Sequence, residues 1–181
     1  MELFEYIDIM NQPYDIFYTD NVHSPLHWHY YSEILYILSG SMRIICNNKV
    51  TLLHKGDICY FYPLQLHGVE PDAECTENVR YAVIKFNIQT LHVPKANLQN
   101  MYDCFVHRTA EDDICIILHD EKRVPSIVEN IMEEYEGKEL MHMLAVQSGI
   151  FALLITLARK MEKKKPQCEK HSGQNLSFYH I

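Results

Sequence analysis

The chain has 181 residues, 48% apolar and 22% charged, with a formal charge of −8. That is enough for one domain with a proper core, or for a compact domain plus an appended helical element. The acidic balance argues against this stretch itself gripping nucleic acid, because phosphate binding needs a concentrated basic surface. No uninterrupted apolar run approaches the ~20 residues of a membrane span, and Met1-Glu2-Leu3-Phe4-Glu5 lacks the basic and apolar regions of a secretory signal. Six scattered cysteines without CxxC spacing read as reduced, mostly buried thiols, so the expected setting is cytoplasmic, with no membrane partner.

In chain order, Asn11-Gln12-Pro13 marks a turn, and Ile16–Thr19 is a short strand candidate. Between Pro25 and Gly40 lies His27-Trp28-His29-Tyr30-Tyr31-Ser32-Glu33, followed by an apolar, β-branched strand to Ser39. Read as one strand, it puts His27, His29, Tyr31, Glu33, Leu35 and Ile37 on one side. Met42–Cys46 and Val50–His54 flank Asn47-Asn48, a turn because Asn tolerates positive φ. Ile58–Tyr62 is the next strand, Pro63 ends it, and His67-Gly68 falls in a loop. Tyr81–Asn87 reads as one more, with Ala82, Ile84 and Phe86 on a face opposite Lys85. Short strands at near-regular spacing predict a β-sandwich or barrel, so the fold class is mainly β with C-terminal helices.

Helices follow Pro94. Residues 95–106 are weakly helical, and Asp112–Leu118 is a connecting segment. Ser126 and Glu129 have capping-box spacing for a helix carrying Ile127, Val128, Ile131 and Met132, stopped by Gly137. The last helix, Glu139 to Lys164, carries two apolar rows. One is Leu144, Ser148, Phe151, Ile155 and Ala158; the other is Met143, Gln147, Ile150, Leu154, Leu157 and Met161. One row packs at home and the other on a partner helix, or both are buried between the barrel and the neighbouring helix. The second row is the expected homodimer seam. Arg159, Lys160 and Lys163 to Lys165 form a solvated, basic helix end. Residues 166–181 have linker composition and then an apolar start, Leu176 to Ile181, expected to open a further domain.

His27-x-His29-x3-Glu33, with His67 beyond a later strand, offers three nitrogens and one oxygen. Such a set suits Zn, Ni, Fe or Mn; alternatively these side chains hydrogen-bond one another or recognise an organic ligand. Cys46 and Cys59 are expected in the core, and Tyr60 and Tyr62 are candidates to put a hydroxyl into a pocket alongside Phe86. There is no phosphate-cradling glycine loop or nucleophile elbow. Nothing here compels an enzyme.

The spacing His27-x-His29-x3-Glu33-x6-Gly40 resembles the first cupin motif, and Gly56-Asp57 through Pro63 to His67 resembles the second, with its terminal Asn absent. With Glu33 to Gly40, Lys55-Gly56-Asp57 and the trailing helices, residues 15 to about 165 resemble the amino-terminal sensor and dimerisation domain of AraC-type transcription regulators. That resemblance implies a cupin (double-stranded β-helix, jelly-roll) barrel over 1–92 and a helical pair over 93–165 that dimerises. It implies a small-molecule effector bound by His29, Glu33 and His67, and DNA contact only through a separate helix-turn-helix domain beginning in 166–181. The alternative is a stand-alone metal-dependent cupin enzyme, an oxygenase or isomerase, with His27, His29, Glu33 and His67 as ligands.

Overall fold

The computed structural model describes residues 3–6, 8, 13–106 and 115–164. Nine strands run in the order β1 (Tyr14–Thr19), β2 (Ser24–His27), β3 (Ser32–Ser39), β4 (Ser41–Cys46), β5 (Lys49–His54), β6 (Ile58–Phe61), β7 (His67–Pro71), β8 (Arg80–Phe86) and β9 (Ile116–Leu118). The helices are α1 (Leu98–Phe105), α2 (Val124–Gly137) and α3 (His142–Lys164). A five-stranded sheet has the order β1-β8-β3-β6-β9 and a four-stranded sheet the order β2-β7-β4-β5, every pair antiparallel. From β1 to β8 the chain crosses repeatedly between the two sheets, which is the jelly-roll arrangement of a cupin barrel.

The five-stranded sheet is a middle layer, and its sequence shows why. In β3, β6 and β8 both faces are apolar. Leu35, Ile37, Cys59, Phe61, Tyr81 and Val83 point into the barrel with Met42, Ile44, Cys46 and Leu53 from the other sheet. Ile34, Tyr36, Ile58, Tyr60, Ala82, Ile84 and Phe86 point the other way, under the helices. Period-two alternation with both sets apolar requires cover on both sides. Cys46 and Cys59 are buried in the barrel interior, as expected.

Local chemistry sets several joints. The β4–β5 hairpin turns on Asn47 (φ 46) and Asn48 (φ 65), the left-handed pair a two-residue turn requires. Ser126 does not cap α2: the helix begins at Val124 with Pro125 in its first turn, and the Ser126 hydroxyl donates to the Arg123 carbonyl at 3.2 Å. Its C-terminal left-handed residue is Lys138, not Gly137. Two predicted connections are strands, β7 and β9, and the single strand expected from His27 to Ser39 is two, β2 and β3, in different sheets. Because β9 pairs with β6, the barrel sheet is completed by residues after the first helix. Residues 166–181, expected to open a further domain, lie outside those described.

The α3 row expected at the dimer seam is largely buried within the chain's own core. Ile150, Leu154 and Leu157, placed on the dimer seam, are fully buried at home with Val146 and Leu153. Met161 packs partly on the same core, Gln147 is half-buried and Met143 is exposed. Leu144 and Ile155 of the other row are exposed, with Phe151 half-covered between them. His142–Glu162 is long and apolar enough by composition to cross a bilayer, although no uninterrupted apolar run of that length was expected. Its buried row against the helical core accounts for that apolarity.

Where α2 and α3 meet, Gly149 permits the contact. A Cβ there would stand 2.4 Å from Ile131 Cγ1. Overpacking of this kind costs about 1–3 kcal/mol, against roughly 1 kcal/mol gained by replacing a helical glycine with alanine. Gly149→Ala is therefore expected to lower thermal stability, and in an Ile131→Ala background the same change is expected to raise it. A double-mutant cycle by chemical denaturation measures both.

Candidate functional site

His27 is the last residue of β2 and pairs with His67, the first of β7. The approach of these strands depends on Gly68, where a Cβ would sit 2.9 Å from the Ser24 carbonyl oxygen and 3.2 Å from Leu26 N. After β2 the chain bends at Tyr30 and Tyr31 and enters β3 in the other sheet, where Glu33 is the second residue. His27, His29 and Glu33 therefore do not lie on one strand face, as the alternation suggested, because β2 ends at His27 and β3 begins at Ser32. They converge from both sheets at the mouth of the barrel, and one donor atom from each of His27, His29, Glu33 and His67 lies within 4.8 Å of the others.

The rings are oriented by the backbone. Carbonyl oxygens only accept, so Nδ1–H donates in each ring: His27 to Pro25 O at 2.8 Å, His29 to Tyr31 O at 3.1 Å, His67 to Gln65 O at 2.7 Å. This turns every Nε2 inward. Glu33 Oε2 lies 2.8 Å from Nε2 of His29 and 3.3 Å from Nε2 of His67. Phe61 stacks on the His67 ring at 4.3 Å. Both Nε2–Oε2 contacts require a proton in between, on rings that already hold one at Nδ1.

Electrostatics follow from this crowding. Burial pushes Glu33 up, but hydrogen bonds from His29 and His67 and the charges of His67 and Lys85 outweigh it and hold it well below the ordinary carboxylate value. Burial lowers His67, yet its hydrogen bond to Glu33 and that carboxylate's charge raise it above the usual histidine value. His27, desolvated and facing His67, is lowered. Lys85 is lowered by burial but raised overall by Glu33 and Glu5.

Beside the cluster is a cavity of about 160 Å³. His27, Glu33, His67, Lys85 and Glu5 line it together with Thr19, Asn21, Ser24 and Tyr81, and Phe17, Leu35, Val69 and Val83 give it an apolar wall. Lys85 stands opposite Glu33 across the β3–β8 ladder, and its ammonium meets Glu5 Oε2 at 2.7 Å and Oε1 at 3.0 Å. Neither Lys85 nor Glu5 was singled out from sequence. The signal for Lys85 was present: it shares the inward face of β8 with Tyr81 and Val83. Glu5 lies in a segment with no periodicity to read. Tyr60, Tyr62 and Phe86 are not in the cavity but on the opposite face of the sheet, in the core under the helices. There the Tyr60 hydroxyl donates to the Phe105 carbonyl at 2.9 Å and accepts from Ser32 Oγ at 2.8 Å. A strand that alternates sides but is apolar on both does not reveal which side is the barrel.

Comparison with known proteins places this site in context. A family model described as AraC-like ligand binding domain matches residues 14–154. Apo ToxT from Vibrio cholerae strain SCE256 superposes with a TM-score of 0.55 at 10% identity, over 84% of this chain and 58% of that one. ToxT from Vibrio cholerae O395, bound to (E)-4-(8-methylnaphthalen-1-yl)but-3-enoic acid, gives 0.52 at 10% identity over 83% and 55%. A P21 crystal form of Vibrio cholerae ToxT gives 0.52 at 12% identity over 88% and 60%. At these identities the likeness is one of fold, and the chain spans less than two thirds of ToxT's own length. No curated protein sequence matches.

The metal-free site has a pH signature. His67, raised above 6.5, contributes stability that is full below that value and is lost as pH rises through its folded value. Glu33, held below 4.5, contributes stability present above that value and lost as pH falls through its folded value. Thermal melts in chelator are expected to be highest between the two, and His67→Gln is expected to lose the alkaline limb.

Proposed function

Since the chain belongs to the family of AraC-like ligand-binding domains, matched over residues 14–154, we propose that it is the effector-sensing and dimerisation part of an AraC-type transcription regulator. A small molecule enters the barrel cavity, and its occupancy shifts the population of arrangements of an attached helix-turn-helix DNA-binding domain. The cavity beside His27, Glu33, His67 and Lys85 carries this reading: convergent polar groups against an apolar wall are the form of a small-molecule site. A regulator of this kind works in the cytoplasm.

The donor set also fits a divalent cation. Each ring spends its proton on a backbone carbonyl and turns the other nitrogen inward, onto Glu33 for His29 and His67 and towards Glu5 for His27, which is how metal-ligating histidines are held. A cation would take the place of the protons the Nε2–Oε2 contacts otherwise demand. His27, His29, Glu33 and His67 would hold Zn, Ni, Fe or Mn, which when bound supplies a Lewis-acidic anchor for an oxygen-bearing ligand. The same donors favour a second reading, a metal-dependent cupin enzyme of the oxygenase or isomerase kind. Membership of a ligand-binding family points to the regulator.

Dimerisation is assigned to the exposed row of α3, with Leu144 and Ile155 flanking half-covered Phe151. The buried row serves the fold and is not available.

Three outcomes are expected. A small-molecule thermal-shift screen should yield stabilising compounds whose effect disappears in Val83→Trp, which fills the cavity; a variant that still responds defeats the barrel as sensor. Elemental analysis should find about one metal equivalent per chain, lost in His67→Ala and kept in Tyr62→Phe; a metal-free wild type removes the cation and leaves the sensor. Phe151→Glu with Ile155→Glu should sediment as a folded monomer, and an unaltered dimer would place the seam elsewhere.

A further inference from the structure

Lys85 and Glu5 form an unequal pair. The Lys85 side chain is 7% exposed and built into the middle of β8, whereas that of Glu5 is 39% exposed. Lys85 is fixed by the barrel; its counter-ion comes from a strap outside it. That strap, residues 3–6, is held to the rim at Trp28. Trp28 N–H donates to the Leu3 carbonyl at 2.7 Å, Glu5 N–H donates to the Trp28 carbonyl at 3.0 Å, and the Phe4 ring lies on Trp28 at 4.6 Å. From there Glu5 reaches back into the cavity and sets both carboxylate oxygens on the ammonium, with Oε2 also 3.5 Å from His27 Nε2 and 3.9 Å from His29 Nε2. Two further acids face Lys85: Glu33, whose Oε2 is committed to His29 and His67, and Asp15, its cross-strand partner on β1.

We infer that Glu5 occupies the acid position of the effector, and that the effector is a small monocarboxylate that takes Lys85 from it. This deepens the sensor reading and rests on it. A buried ammonium cannot be left without an anion, so an incoming carboxylate exchanges with Glu5 and leaves no uncompensated charge. The Glu5 side chain it displaces is already 39% exposed, so its carboxylate regains water on release. Charge sets the class: with Glu5 displaced one ammonium takes up one incoming negative charge, and Glu33 and Asp15 close by repel a second. Size and lining set the rest. A cavity of about 150 Å³ holds a molecule of benzene size, and Phe17, Leu35, Val69 and Val83 ask for an apolar body. The matching ligand is a compact aromatic or branched aliphatic acid.

Calorimetric titration of the 181-residue chain with benzoate and 2-methylpropanoate, each beside its uncharged amide, tests this. At least one acid is expected to bind at least about tenfold more tightly than its amide, and Glu5→Gln is expected to tighten it about tenfold by removing the internal competitor. Lys85→Met should abolish the preference for the acid. Should that variant fail to fold, Lys85→Arg, which keeps the charge, should retain it. Trp28, the only tryptophan, should change its emission as Phe4 leaves it, in step with the binding heat. Acids and amides binding alike, acid affinity indifferent to Glu5→Gln, or no binding of either acid each overturns the proposal. Amides that bind, or other stabilisers from the thermal-shift screen that Val83→Trp abolishes, would overturn only the carboxylate class and leave the sensor standing.

Discussion

Glu33 is a carboxylate with almost no access to water, and the mouth of the barrel is organised around that fact. An ionised acid in such a place survives only with charged or strongly donating partners on several sides. Both sheets provide them. His67 comes from β7 in one sheet, Lys85 from β8 in the other, and His29 from the bend that joins the two. The β2–β7 contact at Gly68 brings His27 alongside His67. A barrel that closed without these partners would carry an orphan charge in its wall, so the polar cluster and the closure of the barrel are one problem with one solution.

That solution leaves the site short of protons and rich in lone pairs. Three imidazoles fixed through Nδ1 and one shared carboxylate oxygen can be satisfied by protons, at the expense of an unusual charge state, or by a cation. Lys85 adds a positive charge on the same side, answered by an acid from outside the barrel. Regulatory binding sites need some element that can be exchanged. In the exchange we infer, that element is the counter-ion of Lys85, while the ammonium and the four convergent donors stay with the barrel.

Behind the barrel the middle sheet forces a third layer. Its helix-facing residues, Ile34, Ile58, Tyr60, Ile84 and Phe86 among them, are as apolar as those facing the cavity, and α1, α2 and α3 cover them. This places the barrel cavity on one side of a single sheet and the exposed row of α3 on the far side of its cover. A change at Glu33 or Lys85 is one residue along the strand from groups that touch the helical layer: Ile34 follows Glu33, and Ile84 and Phe86 flank Lys85.

The strand spacing, the asparagine turn, and the identities of His27, His29, Glu33 and His67 were legible from residue order alone, because alternation and turn chemistry are local. The existence of α2 and α3 was equally legible from their apolar stripes. What only the tertiary structure decided were choices between equivalent faces. Strands apolar on both sides did not say that Tyr60, Tyr62 and Phe86 belong under the helices and Lys85 inside the barrel. A helix with two stripes did not say that Leu154 packs at home while Ile155 faces out. Short polar-rich strands such as β2 and β7 had too little alternation to read, although their pairing assembles the site. Residue order determined which chemical groups were available; long-range pairing decided which of them meet, because a face has no meaning until something is packed against it.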